Sequence, residues 1–270
     1  MSGPRILITG ASGQVGQAVV RGLPEVGWTV RQLDQVPPVV ELPAPHDAIV
    51  GDCFDPKTLA AALPGCVAVV HLAAISGEST IEQIAASHVV GTARILEAMV
   101  RHDVNRLVVA SSNHAVGFTP RADLVDTDTR PRPDTYYGVG KVATEALASL
   151  ATDRHGMATA CLRIGTCCDE PVTARHLSTW LSPGDMVRLT DACLRAPDLT
   201  HAVVYGISAN TRRWWDLASA RALGYDPQDN AEDYADNILA AGEVIDLAAT
   251  DHAFLGGSFV ADPTTMRGTV

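Results

Sequence analysis

Tyr137 and Lys141 stand four residues apart in Tyr136-Tyr137-Gly138-Val139-Gly140-Lys141, and Ser112 precedes Tyr137 by 25 residues. On a helix, residues i and i+4 share a face, so phenol and ammonium point the same way. A phenol with its ordinary pKa of about 10 is a poor base at neutral pH. A neighbouring ammonium favours the phenolate and lowers that value. Such a pair can take the proton of a substrate hydroxyl as hydride leaves the same carbon. Ser112, at the end of a strand, can hydrogen-bond the substrate oxygen while charge develops on it. Tyr136 is the rival phenol, but only Tyr137 has a lysine four residues on.

Hydride needs an acceptor, and the N-terminus offers a cradle for one. Thr9-Gly10-Ala11-Ser12-Gly13-Gln14-Val15-Gly16 follows an apolar strand-like run and opens a helical pattern. Gly10 permits the tight turn, and Gly13 lets backbone N–H groups, with Gln14 and Val15 beside them, approach a pyrophosphate. Gly16 lets the helix pack close to the sheet. Asp34 ends the second strand, 18 residues after Gly16. Its carboxylate can accept from both ribose hydroxyls and repels a 2′-phosphate, which favours NAD over NADP. The next residues, Gln35 and Val36, bring no arginine for that phosphate. Asp52, beside Cys53 after the third strand, is placed either to accept from the adenine amino group or to cap a turn. Leu72-Ala73-Ala74 follows the fourth strand, and its alanines suit a cofactor backbone passing close by; Ile164, ending the sixth, together with Tyr137 and with Lys141 on the nicotinamide ribose, completes the expected cofactor set.

The elements that must position these groups alternate along the first two-thirds of the chain. Strand-like runs fall at 5–9, 28–33, 48–51, 67–73, 106–111 and 158–164, rich in Val, Ile and Leu with little alternation. That pattern predicts strands buried on both faces. Helical patterns at 14–22, 56–63, 80–101 and 136–154 lie between them, which predicts an α/β fold with a doubly wound parallel Rossmann sheet. Residues 1–165 form the expected NAD-binding core. Residues 166–270 are expected to supply a loop over the active site (166–185), a helix (185–195), the last core strand (201–207) and a small C-terminal helical substrate lobe (213–240), all in one integrated domain.

Composition narrows the function classes. The 270 residues carry a net charge of −11, without the basic surface that nucleic-acid binding demands. An anionic substrate must therefore be drawn by a local cationic pocket. Nothing reaches the roughly 18 apolar residues of a membrane span. The N-terminus reads directly into a strand, so a cytoplasmic protein is expected. Six cysteines show no CxxC pair and no zinc-like spacing, so free thiols and no metal are expected.

Across residues 5–165 these motifs resemble the extended short-chain dehydrogenase/reductase superfamily. A closer resemblance, to the bacterial uronate dehydrogenase family, covers most of the chain. It rests on His71-Leu72-Ala73-Ala74-Ile75-Ser76, Ser111-Ser112-Asn113-His114-Ala115-Val116-Gly117, Arg163-Ile164-Gly165-Thr166-Cys167 and Arg175-His176-Leu177-Ser178-Thr179-Trp180. Ser208-Ala209-Asn210, Trp214-Trp215-Asp216 and Asp229-Asn230-Ala231-Glu232 extend it. The resemblance implies NAD-dependent oxidation of D-glucuronate or D-galacturonate at C1 to an aldarolactone, and a homo-oligomer. It implies that Arg175 holds the carboxylate, for which its planar fork is suited. Ser76, Ser112, Asn113, His114, Tyr137 and Thr166 are the other implied substrate contacts.

Two positions depart from that pattern. Gly140 stands where the family's Tyr-x-x-Ser-Lys has serine, and His88 stands where the superfamily usually has Asn, which helps organise the central helix and a proton-relay water. Imidazole donates and accepts as the amide does, but it is larger. Two other readings use the same fold. A nucleotide-sugar dehydratase needs an Asp-Glu pair after the serine, where Asn113-His114 stands, and epimerases usually carry a larger substrate domain. A non-catalytic NAD-binding regulator commonly loses the Tyr or Lys that this chain keeps.

Overall fold

The computed structural model describes residues 3–121, 124–246, 248–261 and 265. Its strands are β1 (Arg5–Thr9), β2 (Thr29–Asp34), β3 (Asp47–Val50), β4 (Cys66–His71), β5 (Arg106–Ser112), β6 (Ala158–Ile164), the two-residue β7 (Thr166–Cys167) and β8 (Trp180–Leu181), and β9 (His201–Gly206). Seven of them form one parallel sheet in the order β3-β2-β1-β4-β5-β6-β9. Alternate residues feed two separate cores, one on each face. Ile6, Ile8, Val70, Val108 and Leu162 belong to one, and Leu7, Val69, Leu107, Val109 and Cys161 to the other. This is why the strands read as continuous apolar runs. The order reverses between β1 and β4, and ligands of such sheets bind beyond the strand ends at that point.

The helices are α1 (Gln14–Gly22), α2 (Pro56–Ala62), α3 (Ile81–Ile84), α4 (Thr92–Arg101), α5 (Tyr136–His155), α6 (His176–Thr179), α7 (Pro183–Arg195), α8 (Ala218–Ala222), α9 (Ala235–Ala240) and α10 (Thr250–Ala253). The longest, α5, begins where Thr135 accepts a hydrogen bond from the Gly138 N–H and ends at Gly156 in the left-handed region. Its buried stripe contains Tyr137, Lys141 and Glu145, and also Gly140, Thr144 and Ala148, which is i, i+4 spacing twice over.

Three expectations need correction. The helix expected at 80–101 is interrupted: α3 and α4 flank a π-helical segment at Ala85–Gly91 that carries His88. Hydrophobic periodicity does not register one extra residue in a turn. The expected loop at 166–185 contains β7, α6 and β8, with β7 and β8 paired in parallel. The expected lobe at 213–240 is largely core: Trp214, Trp215, Leu217, Ala220 and Tyr225 pack in the main cluster. Only Ala231, Ala235 and Ile238 form a separate apolar cluster, with Ala174, Leu177 and Trp180.

The C-terminal segment comes back across the sheet's carboxyl end. Arg121 N–H donates to Ala253 O, Leu255 N–H to Thr119 O and Gly256 N–H to Gly117 O, at 2.9 to 3.0 Å. These bonds hold residues 253–256 along the loop that follows Ser112.

Candidate active site

The turn after β1 and the ends of β2 and β4 enclose a groove of about 950 Å³. Gly10, Gly13, Gln14, Val15, Gly16, Asp34, Asp52, Cys53, Leu72, Ala73, Ala74 and Ser76 all line it. Gly10 has φ +70°, and a Cβ there would lie 2.6 Å from the Ala73 nitrogen. A Cβ on Gly16 would collide with the Gly10 carbonyl. Both glycines are thus required by close approach. Gln14 Nε2 donates to Cys167 O at 2.9 Å and ties the turn to β7. The Asp34 carboxylate accepts from Ser12 N at 2.9 Å and Gln35 N at 2.7 Å, which fixes it at the groove wall. Asp52 accepts from Phe54 N at 2.8 Å, so it performs the turn role that the sequence left open. Burial pushes the Cys53 thiol up to about 12, which leaves it an unreactive wall. A crowded glycine turn, a helix N-terminus and a fixed carboxylate fit a dinucleotide.

Lys141 borders a small neighbouring cavity whose walls include Leu72, Ala73 and Ala74, residues that also line the groove, and Tyr137 stands beside it. Lys141 Nζ lies 5.4 Å from the Tyr137 ring centre and donates to Ala110 O at 2.8 Å. Burial lowers the ammonium to about 8, with Glu145 the main opposing influence. Burial also pushes the Tyr137 phenol up, and the Ser112 hydroxyl beside it works the other way. Ser112 Oγ accepts from His114 N at 3.2 Å, which holds it at the end of β5. Ile164, ending β6, is opposite Ser112 in the sheet.

His88 meets Tyr137 edge-on at 5.4 Å. Its Nε2 is 3.0 Å from Ile75 O, so that nitrogen carries the hydrogen and Nδ1 is a bare acceptor. Nδ1 is buried without a partner among the described residues. Burial lowers the imidazole to about 4 and keeps it neutral. A cavity of about 10 Å³, lined by His71, His88, Thr92, Lys141 and Thr144 among others, has room for a single water. A Cβ at Gly140 would lie 2.7 Å from Ile84 Cγ2 and 2.9 Å from His88 Cγ. The two departures from the family pattern are therefore in contact with each other.

Of the expected substrate groups, His114 stands against Tyr137, and Asn113 and Arg175 meet at one backbone carbonyl. His114 Nδ1 donates to the Asp134 carboxylate at 2.8 Å, which orients its ring beside the Tyr137 ring at 5.6 Å. Asn113 Nδ2 donates to Leu255 O at 3.1 Å. Arg175 Nη2 donates to the same carbonyl. The Arg175 guanidinium lies 5.0 Å from the Trp214 ring centre, and its Nη1 is buried without a partner among the described residues. Burial, then the nearby Arg121, lowers it to about 10. Thr166 shares a hydrogen bond with the Thr179 hydroxyl at 2.9 Å on the β7–β8 side. Ser76 borders the groove on the loop after β4, and no measured contact joins it or Thr166 to Arg175.

A match to the model of the NAD dependent epimerase/dehydratase family spans residues 6–182. The chain belongs to that family. Within it, the chain is 38% identical to a uronate dehydrogenase from Agrobacterium fabrum, over 96% of this chain and 97% of the relative. It is 35% identical to a uronate dehydrogenase from Pseudomonas putida, again over 96% and 97%. Among solved structures, a mutant uronate dehydrogenase from Agrobacterium tumefaciens complexed with NAD matches with a TM-score of 0.89 and 38% identity, covering 96% of this chain and 97% of that one. This member of the family is an NAD-dependent oxidoreductase with a Rossmann-like sheet.

Several groups at the site escaped the sequence reading. Phe259 stacks on His114 with ring centres 4.1 Å apart and stands 6.4 Å from Tyr137. The usable signal was that Phe254 and Phe259, two of only four phenylalanines, flank Gly256-Gly257. Glu78 accepts from Tyr136 N at 3.2 Å and from Tyr137 N at 2.8 Å, and so caps α5 from 58 residues upstream of Tyr136. Arg94 of α4 also lines the cofactor groove. Nothing local in the sequence reveals either.

Proposed function

We propose that this chain oxidises D-glucuronate or D-galacturonate at C1, releasing the aldarolactone. NAD supplies the hydride acceptor when bound in the groove, and its positive nicotinamide favours the phenolate. Tyr137 takes the proton of the C1 hydroxyl, so that hydride loss turns C1 into the lactone carbonyl. Lys141 supports the phenolate and holds the nicotinamide ribose, and Ser112 bonds the C1 oxygen as charge builds on it. Ser76, Asn113, His114 and Thr166 meet the ring hydroxyls and carboxylate. Phe259 forms an apolar wall against the sugar face, beside His114.

The observation that carries the uronate reading is Arg175. A buried guanidinium with an idle Nη1 and no ion pair among the described residues is costly unless an anion arrives. The substrate carboxylate is that anion, and it overcomes a molecular charge of −11 only locally. Replacing Arg175 by Ala is expected to raise KM for the uronate at least tenfold, as a lost charge-assisted contact of about 1.5–3 kcal/mol implies. An unchanged KM in the folded variant rejects the clamp. Purified protein mixed with NAD and either uronate should form NADH, and neutral glucose should not.

The chain is further proposed to work in the cytoplasm as a homo-oligomer. Six free thiols suit a reducing compartment, and no described helix is long and apolar enough to cross a membrane. Light scattering of the purified protein tests the assembly.

A further inference from the structure

Glu145 carries a charge where charge is expensive. It is buried on α5, one turn beyond Lys141 and two beyond Tyr137. Its carboxylate accepts from Arg163 Nε and Nη2 at 2.9 Å each, across from β6. It also accepts from the Ser111 hydroxyl at 2.6 Å, on β5. Buried ion pairs of this kind are often no more stable than apolar residues of the same volume. Folding alone therefore does not account for this one.

The neighbours suggest its use. Lys141 Nζ donates to Ala110 O and Glu145 accepts from Ser111. Two consecutive residues of β5 are thus gripped by two consecutive turns of α5, one cationic and one anionic. The other titratable groups that act on Lys141 or face it bring no negative charge. His71 on β4 and His88 on the π segment are held neutral by burial. Burial raises the Cys161 thiol on β6 and, in the protein without ligands, the Tyr137 phenol, which disfavours the anion of each. Glu145 is the one carboxylate acting on this ammonium among the described residues.

We propose that Glu145, fixed by Arg163 and Ser111, is the counter-anion that keeps the buried Lys141 ammonium charged, and so is a positioning residue for proton transfer at Tyr137. Its catalytic consequence rests on the role given to Tyr137 and Lys141 above. Arg163 and Ser111 take three of the carboxylate's four acceptor positions, so Glu145 is held against β5 and β6 rather than in a direct pair with Lys141. Its charge then acts through space, while Lys141 Nζ keeps its other hydrogens for ligands.

Two lysines occur in the whole chain, Lys57 and Lys141. Protein labelled with carbon-13 at lysine Cε therefore gives two resonances, and exposed Lys57 serves as the internal reference. Lys141 should titrate with a midpoint of about 8 in the unaltered protein. In the double variant Glu145→Gln/Arg163→Met, which leaves no guanidinium without its carboxylate, the midpoint should fall by about one pH unit. Glu145→Gln alone is the second variant; the remaining guanidinium should push the midpoint at least as low. Ser111→Ala keeps both charges and should leave the midpoint in place. A Lys141 midpoint unchanged in either folded Glu145 variant overturns the inference. The alkaline limb of kcat should move with the resonance. If the resonance moves and the limb does not, the counter-anion stands and the catalytic role of Lys141 falls.

Discussion

His88 and Gly140 meet where the π segment crosses α5, and their contact couples two oddities. A Cβ at 140 would press into Ile84 and into the Cβ and Cγ of His88. The missing serine therefore leaves room for this crossing. Gly140→Ser should destabilise the protein by about 1–3 kcal/mol through overpacking. His88→Ala combined with it should recover part of that loss in a double-mutant cycle, measured by denaturant unfolding. Simple additivity would mean that the contact is irrelevant. The placement of Tyr137, Lys141 and Ser112 was largely legible in the sequence, because local spacing and strand ends link them. Tyr137→Phe should still bind NAD while kcat falls about 10²–10⁴-fold, the usual worth of a general base; near-normal turnover rejects Tyr137 as that base. Glu78 was not legible, because it reaches the site through a tertiary contact that no local pattern encodes, and Phe259 left only its place beside Gly256-Gly257 as a hint.

At the scale of elements, α5 is the frame of the site. Its register against β5 is set by Lys141 and Glu145, and its first turn is set by Thr135 and Glu78. Glu78 lies on the same loop as Ser76, so one carboxylate ties the loop of that proposed substrate contact to the Tyr137 backbone. An acidic group on first-turn amides also suits the helix dipole. Removing it by Glu78→Ala should cost about 1 kcal/mol of stability, as lost caps do. It should lower kcat and raise KM for the uronate, while the Kd for NAD rises less, because the glycine turn and Asp34 on the groove wall lie outside the Glu78 loop. An equal loss of NAD affinity would mean a general collapse of the fold. Strands and most helices were readable, since each face of the sheet has its own core. The π segment and the β7–β8 pair were not. A π turn changes phase without changing composition, and two-residue strands lie below any periodicity.

On the scale of the whole molecule, burial of neutral imidazoles sets the acid limit. His71 is lowered to about 3 and His88 to about 4, both by burial first, against 6.5 when unfolded. Between about pH 4 and 6.5 the unfolded chain therefore binds more protons than the folded one. Stability is complete above that window and falls as pH drops through it, by about 1.4 kcal/mol per pH unit for each imidazole. His88→Asn should flatten the acid side of a plot of Tm against pH, and a slope equal to that of the parent would contradict the assignment. The overall architecture was legible because a β1-to-β4 reversal follows from alternating strands and helices. The return of residues 253–261 over the site was not, because it depends on backbone bonds to 117–121. All three scales meet in the one event proposed above, the passage of hydride from C1 of the uronate to NAD beside Tyr137. D-glucuronate carrying deuterium at C1 tests it directly. The account predicts that the reduced cofactor carries the label, in equal amount to the aldarolactone formed. Deuterium retained in the sugar or released to water would contradict it.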